Sequence, residues 1–157
     1  MAIDEAGFRK AMSWFASGVT VVTTEARGVP FGTTVSAFCS LSLVPPLVLV
    51  CVEKSARIHE AIPKAERFAV NILRAGQEAI SNKFASRTED RFEGIRVREG
   101  KLKVPLLDES LAIVECRLHA SLPGGDHTIF VGEVVAAEIG EGEPLLYFRS
   151  AYGTIGT

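Results

Sequence analysis

GTTVSAFCSLSLVPPLVLVCVEKS, residues 32–55, is the stretch from which the rest of this chain is read. A row of small hydroxylated residues, Thr33, Thr34, Ser36, Ser40 and Ser42, lies between two apolar runs. The row is too polar for an ordinary core strand and too regular for a loop. Small side chains let a polar, planar ligand approach the backbone closely, and hydroxyls donate or accept as needed. An exposed strand rich in Thr and Ser is the plainer reading of the same residues. Pro45-Pro46 then interrupts the ladder, and LVLVCV (47–52) follows as a short apolar strand.

Working outward toward the N-terminus, VTVVTTEA (19–26) is rich in β-branched residues, and Arg27-Gly28 follows it. This predicts a strand, a turn and a hairpin whose second strand is the polar row. Before it, residues 5–15 predict an amphipathic helix, with Asp4 as N-cap and Phe8, Ala11, Met12 and Phe15 on one stripe. Trp14 falls off that stripe, open to packing on a second subunit or to partial exposure.

Toward the C-terminus, Ser55 is placed to cap a helix over 56–61, ending before Pro63. RFAVNIL (67–73) reads as a strand and residues 77–85 as a helix through Ile80 and Phe84. SRTEDRFEG (86–94) is a solvated loop or a lid. From Leu111 the pattern alternates, with Ala112, Val114, Cys116, Leu118 and Ala120 inward and Glu115, Arg117, His119 and Ser121 outward. Residues 127–137 return as a strand after Pro123-Gly124-Gly125, and LLYFRS (145–150) follows the GEGEP turn. Six or seven strands joined by short turns, with few short helices, predict a mainly β fold: a closed antiparallel barrel. A βαβ sheet fits less well, because helices do not alternate with strands.

The 157 residues suit one domain, 1–157, with 47% hydrophobic and 23% charged residues. A net charge of −2 and a pI near 5.9 offer no basic stripe, so no nucleic-acid partner is expected. No apolar run is long enough to cross a bilayer, and MAIDEAGFRK lacks the halves of a signal peptide. A cytoplasmic protein without membrane contact is the expectation. The cysteines, Cys39, Cys51 and Cys116, form no C-x-x-C pair. Cys116 reads as core; Cys51 reads as a packed thiol or a weak ligand contact.

G-x-G-x-x-G, the P-loop and G-x-S-x-G are all absent. The histidines, His59, His119 and His127, are spread apart, so no metal centre is expected. Lys54, Ser55 and Arg57, at the start of a short helix, suit a phosphate or a plain surface. His127 after Gly124-Gly125-Asp126 reads as a turn residue bonded to Asp126, or as an imidazole at the barrel mouth.

Six blocks carry a resemblance: FRKAMSWFASGVTVVTT, GTTVSAFCSLSLVPPLVLVCVEKSAR, FAVNIL, KFASRTEDRFEG, GDHTIFVGEV and LLYFRSAYG. In this order they resemble the flavin reductase-like family with its FMN-binding split barrel, over nearly the whole chain. The resemblance implies a homodimer that reduces FMN or FAD with NADH or NADPH and hands reduced flavin to a separate monooxygenase component. By resemblance, Thr33, Thr34, Val35, Ser36 and Ala37 would contact the isoalloxazine and ribityl chain, with Ser40 and Leu41 on the same edge. Cys51, Val52, Lys54 and Ser55 would follow the ribityl chain to its phosphate. Phe84 and Arg91 would approach the adenine or phosphate side, His127 would face the nicotinamide, and Tyr152 would close the pocket near the ring. Hydride passes between two cofactors, which explains the lack of a triad or acid pair. Two other readings use the same barrel: a flavin carrier or sensor without turnover, and an oxidase or oxygenase with its own organic substrate.

Overall fold

A computed structural model describes residues 2–156. The fold is mainly β with three short helices. In chain order these are α1 (Glu5–Met12), β1 (Ser17–Gly18), β2 (Thr20–Ala26), β3 (Val29–Val35), β4 (Phe38–Ser42) and β5 (Leu47–Glu53). Next come α2 (Ile58–Ala65), β6 (Arg67–Ile72), α3 (Glu78–Ala85), β7 (Val97–Glu99) and β8 (Pro105–Leu107). The chain ends with β9 (Ala112–Gly124), β10 (His127–Ile139), β11 (Leu146–Phe148) and β12 (Ala151–Gly153). No helix among the described residues is long and apolar enough to cross a membrane.

Seven strands form one antiparallel ladder in the order β3-β2-β6-β9-β10-β5-β4. The hydroxyl row is therefore not one strand. It splits at Ser36-Ala37 into β3 and β4, which lie at opposite ends of the ladder although only two residues separate them. Among the described residues no ladder joins β3 to β4, so the expected closed barrel is a curled sheet whose two edges share a covalent link. The β2–β3 hairpin turns as predicted, with Arg27 and Gly28 at φ 53° and 77°. Two positive φ values in a two-residue loop match the right-handed twist of the flanking strands.

The core fills the inside of the curl. Phe68, Phe130, Val22, Val50, Val52 and Val70 pack there under Ile58 and Ile62 of α2. Each fully buried large side chain contributes about 1.5–3 kcal/mol. A second cluster joins Phe84 of α3 to Val19, Val21, Leu73, Leu107 and Leu145. The buried Thr and Asn side chains of β2 and β6 are satisfied, whereas Arg67 Nε at the start of β6 is buried without a partner among the described residues. Thr23 donates to the Pro105 carbonyl and Thr24 to that of Arg67, while Asn71 bonds the Val21 carbonyl, Thr23 Oγ1 and the Leu107 N–H.

Three local expectations are corrected. The helix after β5 begins at Ile58, not at Ala56, and Ser55 is not its cap; it runs through Pro63, which is exposed and lacks only one interior N–H. Helix α1 stops at Met12, and the expected stripe residues Phe8, Met12 and Phe15 are exposed, so the stripe is uncovered among the described residues. In β9 the face read as outward is covered over its first half. Glu115 is 3% exposed beneath the loop that joins β7 to β8 and accepts hydrogen bonds from the Lys101 and Leu102 N–H groups at 3.0 and 2.8 Å. Cys116, on the opposite face, is fully buried, and burial followed by the charge of Glu115 pushes its thiol up to about 12. Trp14 packs edge-on against Phe148 with ring centroids 6.0 Å apart, and the Arg149 guanidinium lies 4.3 Å from the Trp14 ring centroid.

Candidate active site

The end of β3 is pinned from three sides. Gly32 lies so close to α3 that a Cβ there would sit 2.6 Å from the Phe84 ring and 3.2 Å from Phe92. The Arg91 guanidinium donates to the Gly32 carbonyl at 2.8 Å and to that of Ser86 at 2.6 Å. Thr34 Oγ1 donates to the Ser81 carbonyl, and Thr20 Oγ1 to that of Val35, both at 2.6 Å. Beyond these anchors the chain turns at Ser36-Ala37, where the Cys51 N–H donates to the Ala37 carbonyl at 3.0 Å.

That turn walls a cavity of about 190 Å³. Thr33, Thr34, Val35, Ser36 and Ala37 form one side, Cys51, Val52 and Glu53 of β5 another, and Ala56 and His127 complete it. Seven residues singled out in β3, the link and β5 thus meet around one space, with His127 facing them. Because the Thr34 hydroxyl is committed to Ser81, the hydroxyls available to a ligand here are those of Thr33 and Ser36. Partial burial, then the neighbouring Cys39, raises the Cys51 thiol, which keeps it neutral.

His127 opens β10 and pairs with Glu53 across the sheet. Its Nδ1 lies 2.7 Å from Asp126 Oδ1. This bond from His127, with the histidine's charge, holds the fully exposed Asp126 carboxyl below the usual aspartate range. His127 thus bonds Asp126 through Nδ1 and also lines the cavity.

Ala56 also lines a neighbouring cleft of about 530 Å³. Lys54, Ser55 and Arg57 border it where β5 gives way to α2, and Arg27, Phe31 and Lys64 lie on its other walls. Lys54 is held at the turn by its N–H, which donates to the Asp126 carbonyl at 2.9 Å. A small polar cavity and a cationic cleft thus lie on either side of Ala56, an arrangement suited to a planar head with an anionic tail.

The remaining predicted residues are placed differently. Tyr152 lines a third cavity, about 260 Å³, with Thr34, Ser36, Ser81 and Asn82; its hydroxyl bonds Ser81 Oγ at 2.8 Å and Asn82 Oδ1 at 2.9 Å. Thr34 and Ser36 therefore separate two spaces. Arg91 borders a narrow cavity of about 110 Å³ beside Arg57 and Glu89. Its pKa is lowered, by burial first and by Arg57 second. Phe84 has no exposed surface; it is the floor beneath Gly32, and its side chain cannot touch a ligand. Ser40 and Leu41 are exposed on β4 and line none of these cavities, because the split at Ser36-Ala37 carries them to the far edge.

Sequence reasoning missed Glu53, Ala56, Arg27, Lys64, Ser81 and Asn82 as wall residues. Arg27 carried a usable signal, since a cation at the tip of a predicted hairpin must project from the sheet. Lys64 and Asn82 gave none, because their places depend on how α2 and α3 pack.

Residues 12–156 match the family described as the flavin reductase like domain. The chain is 47% identical over 146 residues to the reductase component of 4-hydroxyphenylacetate 3-monooxygenase from Thermus thermophilus, covering 92% of this chain and 93% of that one. It is 44% identical over 151 residues to the reductase component of 4-nitrophenol 4-monooxygenase/4-nitrocatechol 2-monooxygenase from Rhodococcus opacus, covering 96% and 81%. Among solved structures it resembles the NADH:FAD oxidoreductase of Streptomyces globisporus in complex with NAD and FAD fragments. The TM-score is 0.93 at 37% identity, over 98% of this chain and 93% of that one. With its fold and nearly its whole length in common with these proteins, the chain belongs to the flavin reductase like domain family.

Proposed function

We propose that this chain is an NAD(P)H-dependent flavin reductase that supplies reduced FMN or FAD to a separate monooxygenase. The observation that carries this reading is the polar cavity at Ser36-Ala37, lined by His127 and bordered at Ala56 by the cationic cleft at Lys54. The residues fit a flavin: hydroxyls at Thr33 and Ser36 suit the polar edge of the ring and the ribityl chain, and Lys54, Ser55 and Arg57 suit the phosphate. Bound there, a flavin would accept hydride from the nicotinamide and carry the electrons onward.

The protein's own part is positioning. Backbone groups at Ser36-Ala37 and the two hydroxyls would offset negative charge on the flavin edge. With Nδ1 held by Asp126, the His127 ring would face the nicotinamide carboxamide with its other nitrogen. Tyr152, tied to Ser81 and Asn82, would buttress the Thr34-Ser36 wall from the opposite side.

Residues 1–157 act as one domain in a split barrel whose two edges meet around the ligand. A second copy covers Phe8 and Met12 of α1 and the nearby Phe15, together with Leu43 and Val44, each 92% exposed. A monooxygenase partner is supported by relatives that are themselves reductase components. A cytoplasmic setting accords with the use of reduced nicotinamide. Anaerobic stopped-flow mixing with FMN or FAD and each nicotinamide tests the activity through flavin absorbance. Rapid bleaching of added flavin is expected; a tightly held flavin that neither NADH nor NADPH bleaches would establish a carrier instead.

A further inference from the structure

Glu53 is the last residue of β5, where the inward Val48, Val50 and Val52 alternate with Leu47, Leu49, Cys51 and Glu53 on the other face. The ladder fixes its place. Glu53 pairs with His127 across the sheet, and the next N–H along the chain, that of Lys54, donates to the Asp126 carbonyl at 2.9 Å. Glu53 lines the cavity at Ser36-Ala37, and its carboxylate has no ion-pair partner among the described residues.

Nothing else on the walls answers that charge. They hold no lysine or arginine, and the raised Cys51 thiol is neutral. His127 is tied to Asp126 at 2.7 Å, so this pair carries no net charge with the ring protonated and a net negative charge with the ring neutral. The cavity is anionic in either state. Lys54 and Arg57 border the cleft on the other side of Ala56.

Accepting a hydride, which is two electrons and one proton, turns a neutral flavin ring into an anion and the nicotinamide into a cation. The phosphate end keeps its charge, so contacts at Lys54, Ser55 and Arg57 hold both forms alike and cancel from the ratio of their affinities. We propose that Glu53 discriminates between the two forms: its charge weakens binding of the reduced anion and leaves the oxidised ring nearly untouched, which promotes release of the product. This rests on the flavin reductase reading above. The hydroxyls of Thr33 and Ser36 act on the same anion in the opposite sense as short-range dipoles, while the full charge of Glu53 reaches across the whole cavity, which is only about 190 Å³.

Anaerobic titration of the purified protein with FMN and FAD, each oxidised and reduced, tests the proposal by binding alone. Oxidised flavin is expected to bind about tenfold more tightly than reduced flavin, which places the two-electron midpoint of the bound flavin about 30 mV below that of the free one. Glu53 is exposed, so water screens it and holds the ratio to this size. Glu53→Gln keeps the shape and removes the charge; it is expected to bring the ratio below about threefold by tightening reduced flavin, while oxidised flavin stays within about twofold. Glu53→Asp keeps the charge and is expected to hold the ratio within about twofold of that of the unsubstituted protein. Added salt should narrow the ratio in the unsubstituted protein and not in Glu53→Gln.

Reduced flavin that binds as tightly as oxidised flavin, or more tightly, overturns the proposal. An equal change for both forms in Glu53→Gln overturns it too, as does a Glu53→Asp protein that behaves like Glu53→Gln; either result leaves Glu53 a wall residue without an electrostatic role. Failure of the unsubstituted protein to bind FMN or FAD in any form is a different result: it overturns the flavin reading itself.

Discussion

Gly32→Ala separates close packing from mere strand propensity. The added methyl would sit 2.6 and 2.8 Å from two carbons of the Phe84 ring and 3.2 Å from Phe92 Cζ. Phe84 is fully buried and stacked edge-on against Phe92 with centroids 5.0 Å apart, so the ring has no free direction in which to yield. Overpacking of this kind costs about 1–3 kcal/mol, and for a chain of this size each kcal/mol lowers Tm by roughly 2–4 °C. A fall of roughly 2–12 °C is therefore expected in a thermal melt. Flavin affinity should fall as well, since Thr33 and Ser36 follow on the same strand and Arg91 is anchored on the Gly32 carbonyl. A double-mutant cycle with Phe84→Leu provides the decisive comparison. Removing ring atoms makes room for the methyl, so the two losses should be less than additive by about 1 kcal/mol or more. Strictly additive losses, or an unchanged Tm for Gly32→Ala, would refute the packing argument.

His127→Ala should raise the apparent KM for NADH or slow flavin reduction while flavin affinity changes little; unchanged kinetics would retire the nicotinamide role. Asp126, held down by its bond from His127, has a folded pKa below its unfolded value, so the contact's contribution is present above that unfolded value and is lost as pH falls through the folded one. Carboxyl-carbon NMR should place the Asp126 midpoint below about 3.9, and His127→Ala should move it upward. Glu115→Gln replaces one buried acceptor oxygen with a donor facing an N–H group, at a cost of about 1–3 kcal/mol, and hydrogen exchange at Lys101 and Leu102 should quicken. With a thiol reagent, native protein should show Cys39 reacting first, Cys51 slowly and Cys116 not at all, with all three reacting after denaturation.

Local signals in the sequence carried far. Asp4 caps α1 as predicted, its carboxylate accepting from the Gly7 N–H at 2.7 Å. The hairpin at Arg27-Gly28 turns as predicted, while the turn expected at Pro123-Gly124-Gly125 falls at Gly125-Asp126, with Pro123 and Gly124 still paired in β9. These features depend on a few neighbouring residues, so a linear reading reaches them. What escaped depends on distant parts of the chain. The hydroxyl row looked continuous because alternation survives across Ser36-Ala37, although the sheet curls there and sends β4 to the opposite edge. Glu115 read as outward because nothing near it in sequence announces the β7–β8 hairpin, which went unpredicted, or the loop that covers the carboxylate. Phe84 was named for a ligand on the strength of the family's blocks, while its helix turns it into the core. Around the cavity, the β3 and β5 residues were legible from their chemistry and resemblance; the α2 and α3 walls were not, since packing alone brings them there.

The covalent seam at Ser36-Ala37 has a consequence for traffic through the site. A wall at the end of a ladder is held by hydrogen bonds on one flank only, so it yields at lower free energy than a wall built from β6 or β9. A reductase that hands its product to another protein gains from short residence, and a wall whose free flank is held by single side-chain bonds from Thr34 and Arg91, not by a further strand, favours it.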